Sequence, residues 1–217
     1  MKIAFLVLTC WCFSCVAVFA ADSPMRLLPV DEAARDPSFF IFRARLFEII
    51  ARRDADAILR VLDPQIRNSF GGDGGVQEFK EMWKPEEVDS KLWSDLAKVL
   101  AMGGKWDGTK GFEAPYVSAA WPENLDPFDY GAITAENVRV RAKPAADGEV
   151  IGSLSFAIVH VLEWPDDTPG ASWVKIQLVD GREGFVAGDF VGSAAGQRAY
   201  FEKRNGAWKL ISFVAGD

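Results

Sequence analysis

The chain is poor in the residue types that carry much of protein chemistry. Of 217 residues one is histidine, His160, and three are cysteine, Cys10, Cys12 and Cys15. A single histidine excludes a His-rich zinc site and an HExxH protease by counting. With every cysteine in the leading segment, the remainder has no thiolate ligand and no disulfide. Basic residues are also in deficit: 24 Lys and Arg against 31 Asp and Glu leave a net charge of −7. Nucleic-acid backbones and anionic lipid surfaces are repelled overall by such a balance. What is present, 49% hydrophobic and 25% charged residues, is ordinary globular composition and sets aside disorder, collagen-like repetition and a polytopic membrane protein.

The opening segment is set apart from fold reasoning. Lys2 is followed by residues 3–19 without a charge, and Val18-Phe19-Ala20 before Ala21-Asp22 offers small residues at a cleavable junction. The pattern reads as an export signal over 1–20, with the periplasm as the expected destination and no stable membrane anchor after cleavage. An uncleaved anchor is the alternative, although the run falls short of the about 20 residues of a spanning helix. Lipidation at Cys15 is a third. Removal of residues 1–20 takes only Lys2 from the charge count, leaving 23 basic against 31 acidic residues.

Residues 21–37, with Pro24, Pro29 and Pro37, form a lead-in arm. From Ser38, Phe39, Phe42, Leu46, Ile49 and Ile50 recur at three- and four-residue steps, which predicts a helix. Asp54 caps a second helix that Asp63-Pro64 ends. The glycine-dense stretch Asn68–Gly75 is either a tight connection or an anion-binding turn before a helix over Val76–Trp83. Pro85-Glu86-Glu87 opens another helix carrying Leu92, Leu96, Val99 and Leu100, stopped by Gly103-Gly104. Residues 105–129 read as an irregular wrap whose Trp106, Phe112, Tyr116, Trp121 and Phe128 either pack inward or line a groove. Glu113, Glu123 and Asp126 in this wrap are the acid-base groups of an alternative reading, a carboxylate-dependent envelope hydrolase.

Beyond Tyr130 the periodicity switches to two, and short β-rich runs alternate with turn signals, which predicts a small barrel. The motifs Val140-Arg141-Ala142-Lys143-Pro144, Val150-Ile151-Gly152-Ser153-Leu154, Trp173-Val174-Lys175-Ile176 and Asp180-Gly181-Arg182-Glu183-Gly184-Phe185-Val186, followed by Asp189-Phe190-Val191, resemble the bacterial SH3-like (SH3b) domains over residues 132–192. Arg139 and Lys143 stand where that family carries Asn and Gly. The resemblance implies a module that binds the cell wall or a peptide through loop aromatics. Trp164, Asp166 and Asp167 are its first candidate contacts, with Trp173 and Phe185 beside them; otherwise Trp164 closes the core. His160, among apolar neighbours, reads as structural.

The tail holds a second hairpin signal, Asn205-Gly206 between two β-rich runs, which pairs Glu202 with Lys209 and Phe201 with Leu210. Its Gly206-Ala207-Trp208-Lys209-Leu210 run, after an amino-terminal helix pair, is also faintly similar to NTF2-like cones. The expected fold is α+β: a mainly helical region over 38–129, an SH3-like barrel over 130–192, and a hairpin over 193–217 packing back on the front part. No cofactor and no metal site are expected. The expected partner is peptidoglycan or an envelope protein.

Overall fold

The structure, a computed structural model, describes residues 24–165 and 172–216. Helix α1 (Pro37–Arg52) starts where the Asp36 carboxylate accepts from the N–H groups of Ser38 and Phe39 at 2.7 and 3.1 Å. Those two bonds satisfy donors that no helical carbonyl can reach. Helix α2 (Ala55–Val61) begins the same way, with Asp54 accepting from Ala57 N–H at 2.8 Å. Phe39, Leu46, Ile50 and Ile58 are buried along the stripe that the periodicity marks.

The front half is less purely helical than that periodicity suggests. Strand β1 (Leu62–Arg67) follows α2 directly, with Pro64 inside it. Proline removes a ladder donor, which a strand tolerates at a sheet edge, and β1 is the end strand of its sheet. Helix α3 (Gly75–Trp83) lies where expected. Pro85-Glu86-Glu87, by contrast, opens no helix: the chain turns through residues 84–91, and α4 (Leu92–Ala101) starts where Ser90 Oγ accepts from Leu92 N–H at 3.3 Å. The presumed irregular wrap contains two short strands, β2 (Lys105–Trp106) and β3 (Gly111–Ala114), and a four-residue helix α5 (Tyr116–Ala119).

The chain then builds a second sheet: β4 (Tyr130–Ile133), β5 (Val138–Arg141), β6 (Val150–Leu154), β7 (Ile158–Glu163), β8 (Trp173–Gln177), β9 (Glu183–Ala187) and β10 (Val191–Gly192). It returns to the first sheet through β11 (Arg198–Arg204) and β12 (Ala207–Val214). The first sheet runs β1-β12-β11-β3-β2, with β1 parallel to β12. Strands β3 and β11, which flank the second sheet in sequence, are direct neighbours there. The tail hairpin has the expected register, Glu202 opposite Lys209 and Phe201 opposite Leu210. Asn205 and Gly206 both take positive φ, 49° and 81°, as a two-residue turn of matching twist demands. Helices and sheet share one core in which the Phe39 ring lies 4.4 Å from Phe112, 5.6 Å from Phe201 and 5.0 Å from Trp208.

The second sheet runs β10-β4-β7-β8-β9-β5-β6. Its end strands β10 and β6 do not pair, so the strand ladder closes no ring among the described residues. Ile133, Val138, Val140, Val159, Val161, Val174, Ile176 and Val186 fill its inner side. The Asp180-Gly181 turn is not a two-residue hairpin turn: only Gly181 has positive φ, 82°, and its N–H bonds Leu178 O at 2.9 Å while Leu178 N–H bonds Arg182 O at 2.8 Å. That is a three-residue loop ending on a left-handed glycine.

Leu27, Tyr116, Val117, Ala132, Ile158 and Ala194 form a third cluster between the two sheets. The lead-in arm crosses this junction. Leu27 N–H bonds Phe156 O at 2.8 Å and Ile158 N–H bonds Met25 O at 2.7 Å, while Asp31 grips Arg43 of α1 through two hydrogen bonds of 2.8 and 2.7 Å. No helix among the described residues is long and apolar enough to cross a membrane.

Candidate binding groove

Strict alternation along three neighbouring strands decides what the second sheet shows to solvent. Val174 and Ile176 of β8, Val186 of β9, and Val138 and Val140 of β5 are buried. Their neighbours Trp173, Lys175, Phe185, Ala187, Arg139 and Arg141 consequently take the other side. Trp173 stands opposite Ala187, Lys175 opposite Phe185, and Phe185 opposite Arg141. Trp173 and Phe185 thus lie half-buried on the outer face. The interior has no space for them, because the branched side chains on the alternate positions already fill it.

At one end of this face lies a groove of about 410 Å³ lined by residues that include Glu136, Arg139, Arg141, Ala146, Trp173 and Phe190. The volume falls in the range of small-ligand and peptide clefts. One wall is the loop after β5, folded on itself by Ala142 N–H to Glu149 O at 2.9 Å and Gly148 N–H to Ala145 O at 3.0 Å. Arg141 is tied to that wall, its Nη1 donating to Gly148 O at 2.7 Å. The opposite wall is the 3-10 turn Gly188–Phe190, anchored where Gly188 N–H donates to Ser172 O and Thr134 N–H to Phe190 O. Phe190 is 45% exposed there. Arg139 and Glu136 make no ion pair among the described residues. The groove thus combines two aromatic surfaces with a free guanidinium and a free carboxylate. Beside it, Glu183 at 2.9 Å raises the Lys175 ammonium above its usual range, and Glu163 at 3.5 Å adds to the effect.

Trp164 belongs elsewhere. Its Nε1 donates to Phe128 O at 3.0 Å, and its ring tip lies close over Gly131, where a Cβ would meet it at 3.0 Å. At 37% exposure it packs beside Gly131 of β4, and it is not among the residues of the groove. Asp166 and Asp167 lie outside the described residues. His160 sits half-buried with its ring 5.3 Å from Tyr130.

Residues 136–192 match the family model of the bacterial SH3 domain. The match falls within the segment whose motifs carry the resemblance and covers a limited part of the chain. No curated protein and no solved structure matches the chain. The whole groove lies within the SH3-like segment. Of the candidate contacts named from sequence, Trp173 lines this groove; Arg139, Glu136 and Phe190, which line it too, were not among them. The signal for Arg139 was present in the alternation Val138-Arg139-Val140-Arg141, which sends both arginines to one face.

The carboxylates of the hydrolase reading lie apart from this groove. Glu113 stands on β3 opposite Lys105 and Tyr200, while Asp126 closes its own loop by accepting from Phe128 N–H at 2.8 Å. None of the three lines the groove. Among the described residues no group of three or more His, Cys, Asp or Glu is placed to hold a metal ion.

Proposed function

We propose that the chain is an exported, non-enzymatic binding protein whose SH3-like segment holds an extended peptide of the cell envelope in the Trp173 groove. The observation that carries this reading is the meeting of the Trp173 and Phe190 surfaces with a guanidinium, Arg139, that has no partner among the described residues. Flat aromatic faces accept peptide backbone and aliphatic side chains at small entropic cost. A guanidinium receives a carboxylate through paired N–H donors, and Glu136 accepts an amine at the same groove. Peptidoglycan stem peptides carry both groups on a short extended chain, and the resemblance to bacterial SH3 domains supports a cell-wall target. The leader, with Lys2 ahead of an uncharged run over residues 3–19, supports export to the periplasm.

Co-sedimentation with isolated peptidoglycan sacculi tests the reading. The mature protein is expected in the pellet, and Trp173→Ala and Arg139→Ala are expected to stay in the supernatant with unchanged circular dichroism. Absence of the folded wild-type protein from the pellet refutes wall binding.

A further inference from the structure

The second sheet carries another cleft, of about 540 Å³, lined on one side by Pro24 and Met25 of the lead-in arm and on the other by the loop after β8. Arm and loop both start from β7. Ile158 N–H bonds Met25 O at 2.7 Å, and His160 pairs with Gln177, the last residue of β8. Beyond Gln177 the chain turns, with Gly181 N–H bonded to Leu178 O at 2.9 Å. The cleft opens where arm and loop part, over Ile158, Val159 and His160.

Three of the lining residues form a row. Tyr130 of β4 stands opposite His160 of β7, and His160 opposite Gln177 of β8. Directly paired residues send their side chains to one face of a sheet, and neighbouring strands lie about 4.8 Å apart, so phenol, imidazole and carboxamide span about 10 Å. The Tyr130 and His160 rings are 5.3 Å apart. None of the three side chains has a hydrogen-bond partner among the described residues, and none of their polar atoms is among the unpartnered ones sealed from solvent. All three are half-buried and open to an occupant of the cleft. The walls are otherwise mostly aliphatic, from Met25, Leu125, Leu154, Ile158, Leu178 and Val179. Although 25% of the chain is charged, no described residue of the lining is Asp, Glu, Lys or Arg. The charges nearby in sequence are outside the lining: Asp180 and Arg182 pair with each other at 2.8 Å, Asp126 accepts from Phe128 N–H at 2.8 Å, and Asp129 precedes Tyr130.

Walls without charge offer an ion no partner, and burying an unpaired ion is costly. Phenol, neutral imidazole and carboxamide each donate and accept, which suits hydroxyl and ester oxygens. An aliphatic lining with a few convergent polar groups is the usual make-up of a small-molecule cleft, and the volume lies in the usual range. We propose that this cleft binds an uncharged amphiphile, an acyl chain esterified to a small polyol, with the polyol along the Tyr130, His160 and Gln177 row and the chain against Met25, Leu154 and Val179. The cleft shares no lining residue with the Trp173 groove and the proposal does not rest on peptide binding there.

His160 is the one histidine of the chain, so the imidazole proton signals of the untagged mature protein are assigned by counting. The test titrates that protein at constant pH with 1-octanoylglycerol, with glycerol as the head without the chain and octanoate as the chain with a charged head. The His160 signals are expected to move saturably with the ester and to stay in place with the other two at equal concentration. Val179→Asp and Met25→Asp are each expected to weaken binding about tenfold, the worth of one valine-sized apolar contact. Val179 is 66% exposed and Met25 51%, so both variants are read on a folded protein. Trp173→Ala is expected to bind the ester as the wild type does. Signals unmoved by the ester up to about 5 mM, weaker than any useful affinity, overturn the proposal. So does binding that both variants leave unchanged, or equal movement with octanoate or with glycerol.

Discussion

Phe201→Ala probes the way the two ends of the chain are built into one sheet. Phe201 is fully buried on β11, opposite Leu210 of β12 on one side and Phe112 of β3 on the other. Its ring centroid lies 5.6 Å from Phe39 and 5.9 Å from Phe42 of α1. Truncation removes the transfer free energy of the ring and leaves a cavity bounded by β-ladders on both sides, which cannot close in on it. Buried Phe→Ala changes of this kind cost about 3–5 kcal/mol. A loss of that size is a large fraction of the about 5–15 kcal/mol that holds a domain folded. Urea denaturation followed by far-ultraviolet circular dichroism measures it, as a lowered midpoint with the slope preserved. Phe201 is absent from the core of the SH3-like segment, so the Trp173 environment is expected to keep its native fluorescence under conditions where the variant remains folded. A destabilisation below about 1 kcal/mol, the level of an ordinary surface change, refutes the placement of β11 between β3 and β12 in a shared core.

Three further outcomes follow from individual contacts. Burial alone would raise the Asp107 carboxyl, but hydrogen bonds from Tyr200, Thr109 and Gly111 pull it down to about 2, below the ordinary 3.8. A depressed carboxyl stabilises the fold above its unfolded value, and the gain is lost as pH falls through the folded one. Asp107→Asn is therefore expected to lower the melting temperature near neutral pH and to match the wild type near pH 2, with about 1 kcal/mol at stake after solvent screening; a gap that persists unchanged into acid contradicts this. Asp31→Ala strands the guanidinium of Arg43, a residue only 9% exposed, and is expected to cost about 2 kcal/mol, since Asp31 itself is part-exposed. Limited proteolysis near residues 24–30 is expected to quicken in step. Trp164→Phe removes the bond to Phe128 O and is expected to cost about 1 kcal/mol while leaving sacculus binding intact; loss of binding would move the site to Trp164.

The parts legible in the sequence were those governed by local rules. Asp36 and Asp54 sit where helix caps are needed, and Asn205-Gly206 sets the tail register residue by residue. The motifs of the SH3-like segment marked its position because hairpin turns and alternating valines specify strands over a few residues. Strand β1 was hidden because Pro64 argues against a strand unless the segment is known to be an edge, and that depends on β12, well over a hundred residues away. Strands β2 and β3 are too short for periodicity to emerge; β3 exists because β11 offers it a partner, and β2 pairs with β3 in turn. At the groove, alternation carried Arg139, whereas Phe190 depends on a 3-10 turn that no pattern announced. Trp164 is as exposed as an aromatic in a polar loop suggests, but its bond to the Phe128 carbonyl joins two loops far apart in the chain, which no local pattern announces.

The central claim, that the Trp173 groove receives envelope peptide, is tested most directly by mapping chemical-shift changes on the labelled chain as a soluble stem peptide is added. The account predicts saturable movement of the Trp173 indole, the Arg139 Nε–H and the Phe190 amide signals, with the Trp164 indole unmoved. Movement confined to Trp164, or none at these groove signals while the peptide is bound, would contradict it.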